Sequence, residues 1–172
     1  MIQKATTEAV LDARKLIRPL RASLRRLLQE LIRTNSVAVP PHGNETPAQL
    51  VLKDFLCQYG LRPDLYEVDP ILARSNPPIS RSRSYAGRKN LSVCLEGRGT
   101  GKSLLLNGHM DTVPPGKSKW SASPWSGHIR NGNVFGLGAF DMKGGLVANA
   151  AVICALSRAG IRLGGDLFFE SV

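Results

Sequence analysis

The stretch GGLVANAAVICALSRAG, Gly144 to Gly160, constrains the fold of this chain more than any other. It is dense in small apolar residues, which predicts a helix able to pack closely on a sheet. Its mostly apolar part is too short, and too rich in glycine and alanine, to span a bilayer. Strand-like apolar runs stand on either side, SLLLNGH before it and GDLFFESV after it. Helices alternating with apolar strands predict an α/β layered domain with a largely parallel central sheet.

The rest of the chain reads in the same way. Ile17, Leu20, Leu24, Leu27 and Leu31 step by three and four and form one apolar helix stripe. Pro19 falls inside that pattern, so the main helix is expected to start there. Thr46, Pro47 and Gln49 have the form of a helix start, with a capping hydroxyl, an early proline and a glutamine three residues after the cap. DLYEV and NLSVCLEG read as strands, the latter joined to SLLLNGH through a GRGTGK turn. PWSGHIRNGNVFGLG predicts a short hairpin turning at Asn131-Gly132. Asp69 to Lys89 reads as a long exposed loop.

At 172 residues the chain suits one domain, and 42% apolar with 21% charged residues excludes global disorder. The N-terminus has no continuous apolar region of the secretory kind, so a cytoplasmic location is the expectation. The formal charge of +10 is divided between the first helical region and the loop SRSRSYAGRK, Ser80 to Lys89. That loop has one aromatic and no recognised nucleic-acid motif. It reads as solvated, with anion binding as the alternative. Cys57, Cys94 and Cys154 are widely spaced among apolar neighbours and read as buried, reduced thiols.

Chemistry concentrates at two places. In SLLLNGHMDTVPPG an apolar strand runs into His109 and Asp111, and ligands in open α/β sheets collect beyond strand carboxyl ends. An extended HMD would send both side chains to the same side. A metal-binding imidazole needs an acceptor on its other nitrogen, which Asp111 can supply, but such a pair is also a common hydrogen-bonded couple. In GLGAFDMKGG, Asp141 sits in a glycine-rich turn that can present both carboxylate oxygens to metal ions. It can equally cap the helix that follows. Lys143 balances nearby negative charge or is solvated, and His42 and His128 read as structural.

LLLNGHMDTVPPG, WSASPWSG, VFGLGAFDMKGG and GDLFFESV, in that order, resemble the acetylornithine deacetylase, succinyl-diaminopimelate desuccinylase and carboxypeptidase G family of dinuclear zinc amidohydrolases and exopeptidases. The likeness runs from about Leu27 to the end of the chain. It implies a three-layer α/β/α zinc-exopeptidase-like catalytic domain around a mainly parallel mixed sheet. Residues 1–172 would be the N-terminal part, with the lid and dimerisation domain and the rest of the catalytic domain absent. By that resemblance His109 is a ligand to one zinc, Asp141 is the carboxylate shared by two, and Asp111 is the catalytic residue that orients the first site. The Asp141–Met142 peptide would be cis. The implied cofactor is a pair of Zn2+ ions, with Co2+ or Mn2+ as substitutes. The implied substrate is a small N-acyl amino acid or peptide, with no nucleic-acid or membrane partner and a homodimeric full-length protein.

The departures are as specific as the match. In relatives the strand similar to GDLFFESV leads into a Glu-Glu pair, general base then ligand, and here the sequence stops first. The chain ends inside an apolar run, which predicts a fragment that hydrolyses nothing alone. Glu170 lies within the strand and reads as structural. The runner-up reading is a non-catalytic homologue that serves as a binding or assembly module.

Overall fold

The computed structural model describes residues 13–69, 71 and 84–172. Most of the expected loop from Asp69 to Lys89, including residues 80–83 of its basic part, lies outside the described residues, as do residues 1–12.

Helical residues 13–17 lead through a 3-10 turn, Arg18–Leu20, into α1 (Arg21–Arg33). Pro19 sits in that tighter turn rather than at the first position of the α-helix. The leucine stripe does what its spacing predicts: Leu20, Leu24, Leu27 and Leu31 are buried and Ile17 packs at their edge. Removing any of these side chains from water is worth about 1.5–3 kcal/mol.

The second helix, α2 (Thr46–Cys57), starts differently from expectation. Glu45 takes the cap position with no side-chain cap bond. The Thr46 hydroxyl instead donates to Gly87 O at 2.6 Å and accepts from the Lys89 N–H at 2.9 Å. Gln49 turns inward and donates to Ser171 O at 2.9 Å. Both polar side chains therefore serve the neighbouring sheet, whose backbone groups need partners where its strands begin and end.

The main sheet has the order β1-β2-β6-β3, with β1 (Asp64–Glu67), β2 (Lys89–Leu95), β3 (Leu104–Gly108) and β6 (Leu167–Ser171). It is a mixed sheet in an α/β fold, as expected, but its pairing is mostly antiparallel rather than mainly parallel. Its parallel pairing is β3 with β6, Leu104 opposite Leu167 through Gly108 opposite Ser171, while β1–β2 and β2–β6 are antiparallel. β2 and β3 follow each other in sequence but do not pair, because β6 is inserted between them. The GRGTGK segment is thus a crossover rather than a hairpin turn, and Arg98 N and Thr100 N donate to Leu163 O and Gly164 O. β4 (His128–Arg130) and β5 (Asn133–Phe135) form the separate hairpin, with Asn131 and Gly132 at φ 51° and 79° as a type I′ turn requires.

Leu91, Val93, Leu167 and Phe169 point to one face of the sheet, where α1, α2 and α3 (Gly144–Arg158) complete a single core. Cys94 and Leu105 point to the other face and are exposed. Only Cys154 is a buried thiol. Cys57 and Cys94 are exposed, contrary to the sequence reading, since their neighbours' apolarity belongs to the alternate side chains of the helix and strand.

By length and composition Ala139–Arg158 could cross a membrane. The backbone breaks at Asp141 and Met142, however, and the regular helix is only Gly144–Arg158. Leu146, Ala150, Ile153 and Cys154 of that helix are wholly buried against the sheet, so this is a core helix.

Candidate metal centre

The parallel ladder continues past the strand ends. Val172 N donates to Gly108 O at 2.9 Å and Met110 N donates to Val172 O at 2.6 Å. This keeps HMD extended. Met110 is buried on the core side, which turns His109 and Asp111 together to the opposite side. The imidazole Nδ1 lies 3.0 Å from Asp111 Oδ1 and 3.1 Å from the Asp111 carbonyl oxygen. With two acceptors there, Nδ1 carries the proton.

Asp141 reaches the same point from a π-helical turn, Ala139–Lys143, closed by Lys143 N donating to Gly138 O at 3.0 Å. Gly138 has φ 74°, and a Cβ there would run into Cγ2 of Thr112, the residue after Asp111. The turn therefore lies directly on the HMD segment, which only glycine permits. The Asp141–Met142 peptide is cis, as the resemblance implied. Asp141 does not cap α3, whose first turn carries no side-chain cap bond. Its carboxylate faces His109, with Oδ1 3.0 Å from Nε2.

Desolvation alone would lower the His109 pKa. The hydrogen bond to Asp141, then the contacts with Asp111, outweigh it, and the imidazole pKa is raised from its usual 6.5. Two ligands on one tetrahedral zinc, at metal–ligand distances near 2.0–2.1 Å, stand about 3.3 Å apart. The Nε2–Oδ1 separation of 3.0 Å is close to that. The donor pair therefore suits zinc, but it is only part of a shell: among the described residues no group of three or more His, Cys, Asp or Glu side chains could hold a metal ion.

Beside the pair opens a cleft of about 220 Å³, lined in part by Tyr85, Arg88, Asn90, His109, Asp111 and Val172. Arg88 is held by Glu45 and lies 5.5 Å from the Tyr85 ring centroid. Four residues to which the sequence reading gave no part in the centre support this region. Lys143, expected to be solvated or to balance charge, is 1% exposed, and its ammonium donates to Leu31 O at 2.6 Å and Thr34 O at 3.2 Å. Burial pushes its pKa down to about 8. Ser36 and the Glu45–Arg88 pair are the others, and a polar residue inside an otherwise apolar turn was the available signal.

The remaining candidates stay outside the centre. His42 closes a small backbone bridge with Val39. His128 accepts or donates at Ser126 Oγ, 3.0 Å away, and stacks on Phe135. Glu170 lies within β6 and accepts from Asn107 Nδ2 at 3.3 Å.

Fold and site together define a layered α/β protein with an imidazole–carboxylate centre at the carboxyl edge of a mixed sheet. Comparison with known proteins adds a likeness to that class: residues 105–169, from within β3 into β6, match the model of Peptidase family M20/M25/M40. A succinyl-diaminopimelate desuccinylase of Methylobacterium radiotolerans is 32% identical over 145 residues, covering 84% of this chain and 32% of the relative. An N-formyl-4-amino-5-aminomethyl-2-methylpyrimidine deformylase of Halalkalibacterium halodurans is 32% identical over 136 residues, covering 77% of this chain and 28% of the relative. Human carnosine dipeptidase 1 shares the fold with a TM-score of 0.65 at 18% identity, over 93% of this chain and 33% of that one. The chain thus spans about a third of the length of the curated relatives it matches.

Proposed function

We propose that this chain is the N-terminal part of the catalytic domain of a metal-dependent hydrolase of amide bonds in N-acyl amino acids or small peptides. The observation that carries the reading is the 3.0 Å approach of His109 Nε2 to Asp141 Oδ1 at the sheet's carboxyl edge. The likeness to a desuccinylase and a deformylase, both by name removers of an acyl group, supports the reaction class.

In this reading His109 and Asp141 hold zinc, and Co2+ or Mn2+ are workable substitutes. Zinc would supply Lewis acidity towards the amide carbonyl and lower the pKa of water. The chain's own part is to present ligands in the right state. Asp111 keeps the proton on Nδ1, so that Nε2 offers its lone pair, and it fixes the ring's rotation. The exposed Asp141 carboxylate, with one oxygen towards His109, has a second free for another ion. The cleft beside Asp111 gives a small substrate access from the Arg88 side. The full-length protein is read as a cytoplasmic homodimer, and these 172 residues as inactive by themselves.

The test is zinc binding by the chain, followed calorimetrically, with His109→Ala and Asp141→Ala. Both substitutions should abolish site-specific binding. Unchanged binding in both variants would remove the metal reading. Amidase activity of the purified chain would overturn its inactivity.

A further inference from the structure

The two halves of the centre come from distant parts of the sequence, and one short segment touches both. After α1 the chain runs Thr34-Asn35-Ser36-Val37-Ala38. On one side, Leu31 O and Thr34 O take the buried ammonium of Lys143, two residues beyond Asp141. On the other, Ser36 Oγ donates to Met110 O at 2.8 Å, between His109 and Asp111. The backbone adds Thr112 N to Ser36 O at 3.0 Å and Ala38 N to Thr112 O at 2.9 Å. Ser36 and Lys143 are each 1% exposed.

The chemistry favours a positional role over simple filling. Carbonyls at a helix carboxyl end lack intrahelical donors and carry partial negative charge, so an ammonium is well placed there. Apolar packing is non-directional, whereas two hydrogen bonds from one nitrogen fix the turn's distance and orientation. A methionine could fill the volume of Lys143 without holding the turn.

We propose that Lys143 and Ser36 are positioning residues: acting through the segment Thr34–Ser36, they bracket the Asp141 turn against the HMD strand end and so set where the carboxylate meets the imidazole. The zinc arm of the test rests on the reading above; the metal-free arm does not.

The experiment uses the full 172-residue chain with Lys143→Met, Ser36→Ala and Asp141→Asn. The metal-free readout is the His109 side-chain 15N spectrum at one fixed pH. Asp141→Asn defines the Nε2 signal of an imidazole without its carboxylate partner. Lys143→Met should move the signal most of the way there, and Ser36→Ala should move it in the same direction. Zinc affinity should fall on the order of tenfold in Lys143→Met, as when a ligand's supporting partner is removed. In the Asp141→Asn background Lys143→Met should move the Nε2 signal no further, which a general loss of structure would not produce. An unmoved Nε2 signal in Lys143→Met, or equal shifts in both backgrounds, overturns the bracket. If Lys143→Met does not fold, Ser36→Ala decides alone by the same signal. Zinc that shifts neither His109 nor Asp141 in the unaltered chain sinks the metal reading and leaves the bracket to the imidazole signal.

Discussion

Arg88 holds Glu45 through two N–H···O bonds, Nε to Oε2 at 2.9 Å and Nη2 to Oε1 at 2.5 Å. Glu45 is 4% exposed and Arg88 16%, and the pair forms one wall of the cleft beside His109. The hydrogen bond to Glu45 raises the guanidinium pKa further. Breaking a buried pair leaves one charge uncompensated, which costs more than the pair itself contributes. Glu45→Gln should therefore lower stability by about 3 kcal/mol, the low end for such a break because Arg88 keeps some solvent. Arg88→Lys should lower stability too, since one ammonium cannot reproduce the two-pronged contact. Urea denaturation midpoints at constant slope measure both.

Zinc should stabilise the folded chain through His109 and Asp141. At a free concentration a hundredfold above the dissociation constant, one site is worth about 2.7 kcal/mol. The rise in melting temperature should vanish in His109→Ala and in Asp141→Ala, while Cys57→Ser and His128→Ala keep it. A rise that survives both site variants would place the ion elsewhere.

Cys154 lies wholly inside the core, where burial pushes its thiol pKa from 9.0 up to about 12. It should be inert to a thiol reagent in the native chain, while exposed Cys57 and Cys94 react. The sign for stability follows from linkage. The folded state holds the proton more tightly, so the contribution is complete below pH 9 and is lost as pH rises from there towards 12. Cys154→Ala should flatten that alkaline decline. Three equivalents of reagent consumed without denaturant would contradict the burial.

Phe140, next to Asp141, is 97% exposed. It contributes little to the core of this chain, so Phe140→Ser should leave the unfolding free energy within about 0.5 kcal/mol. Urea denaturation of the variant measures it.

Much of the architecture could be read from residue order alone. The leucine stripe of α1, the apolar runs of β2, β3 and β6, the Asn131-Gly132 turn and the small-residue helix α3 are local patterns. Each records which face is buried or which dihedrals are needed, and these are properties of neighbouring residues. The motifs around His109 and Asp141 were legible in the same way, as was the kinship they carry.

What neighbours in sequence could not decide was partnership at a distance. Thr46 has every feature of a cap, but β2 brings it an unpaired N–H, and that contact wins. Cys57 and Cys94 sit in apolar company, yet the faces on which they lie are open. β6 separates β2 from β3 because strand order is set by packing across the whole sheet. Lys143 becomes a buried anchor only once the carboxyl end of α1 arrives above it. Local pattern determines which elements form and which groups are available, whereas the meeting of His109 with Asp141 depends on loop closures whose energetics no short stretch of sequence contains.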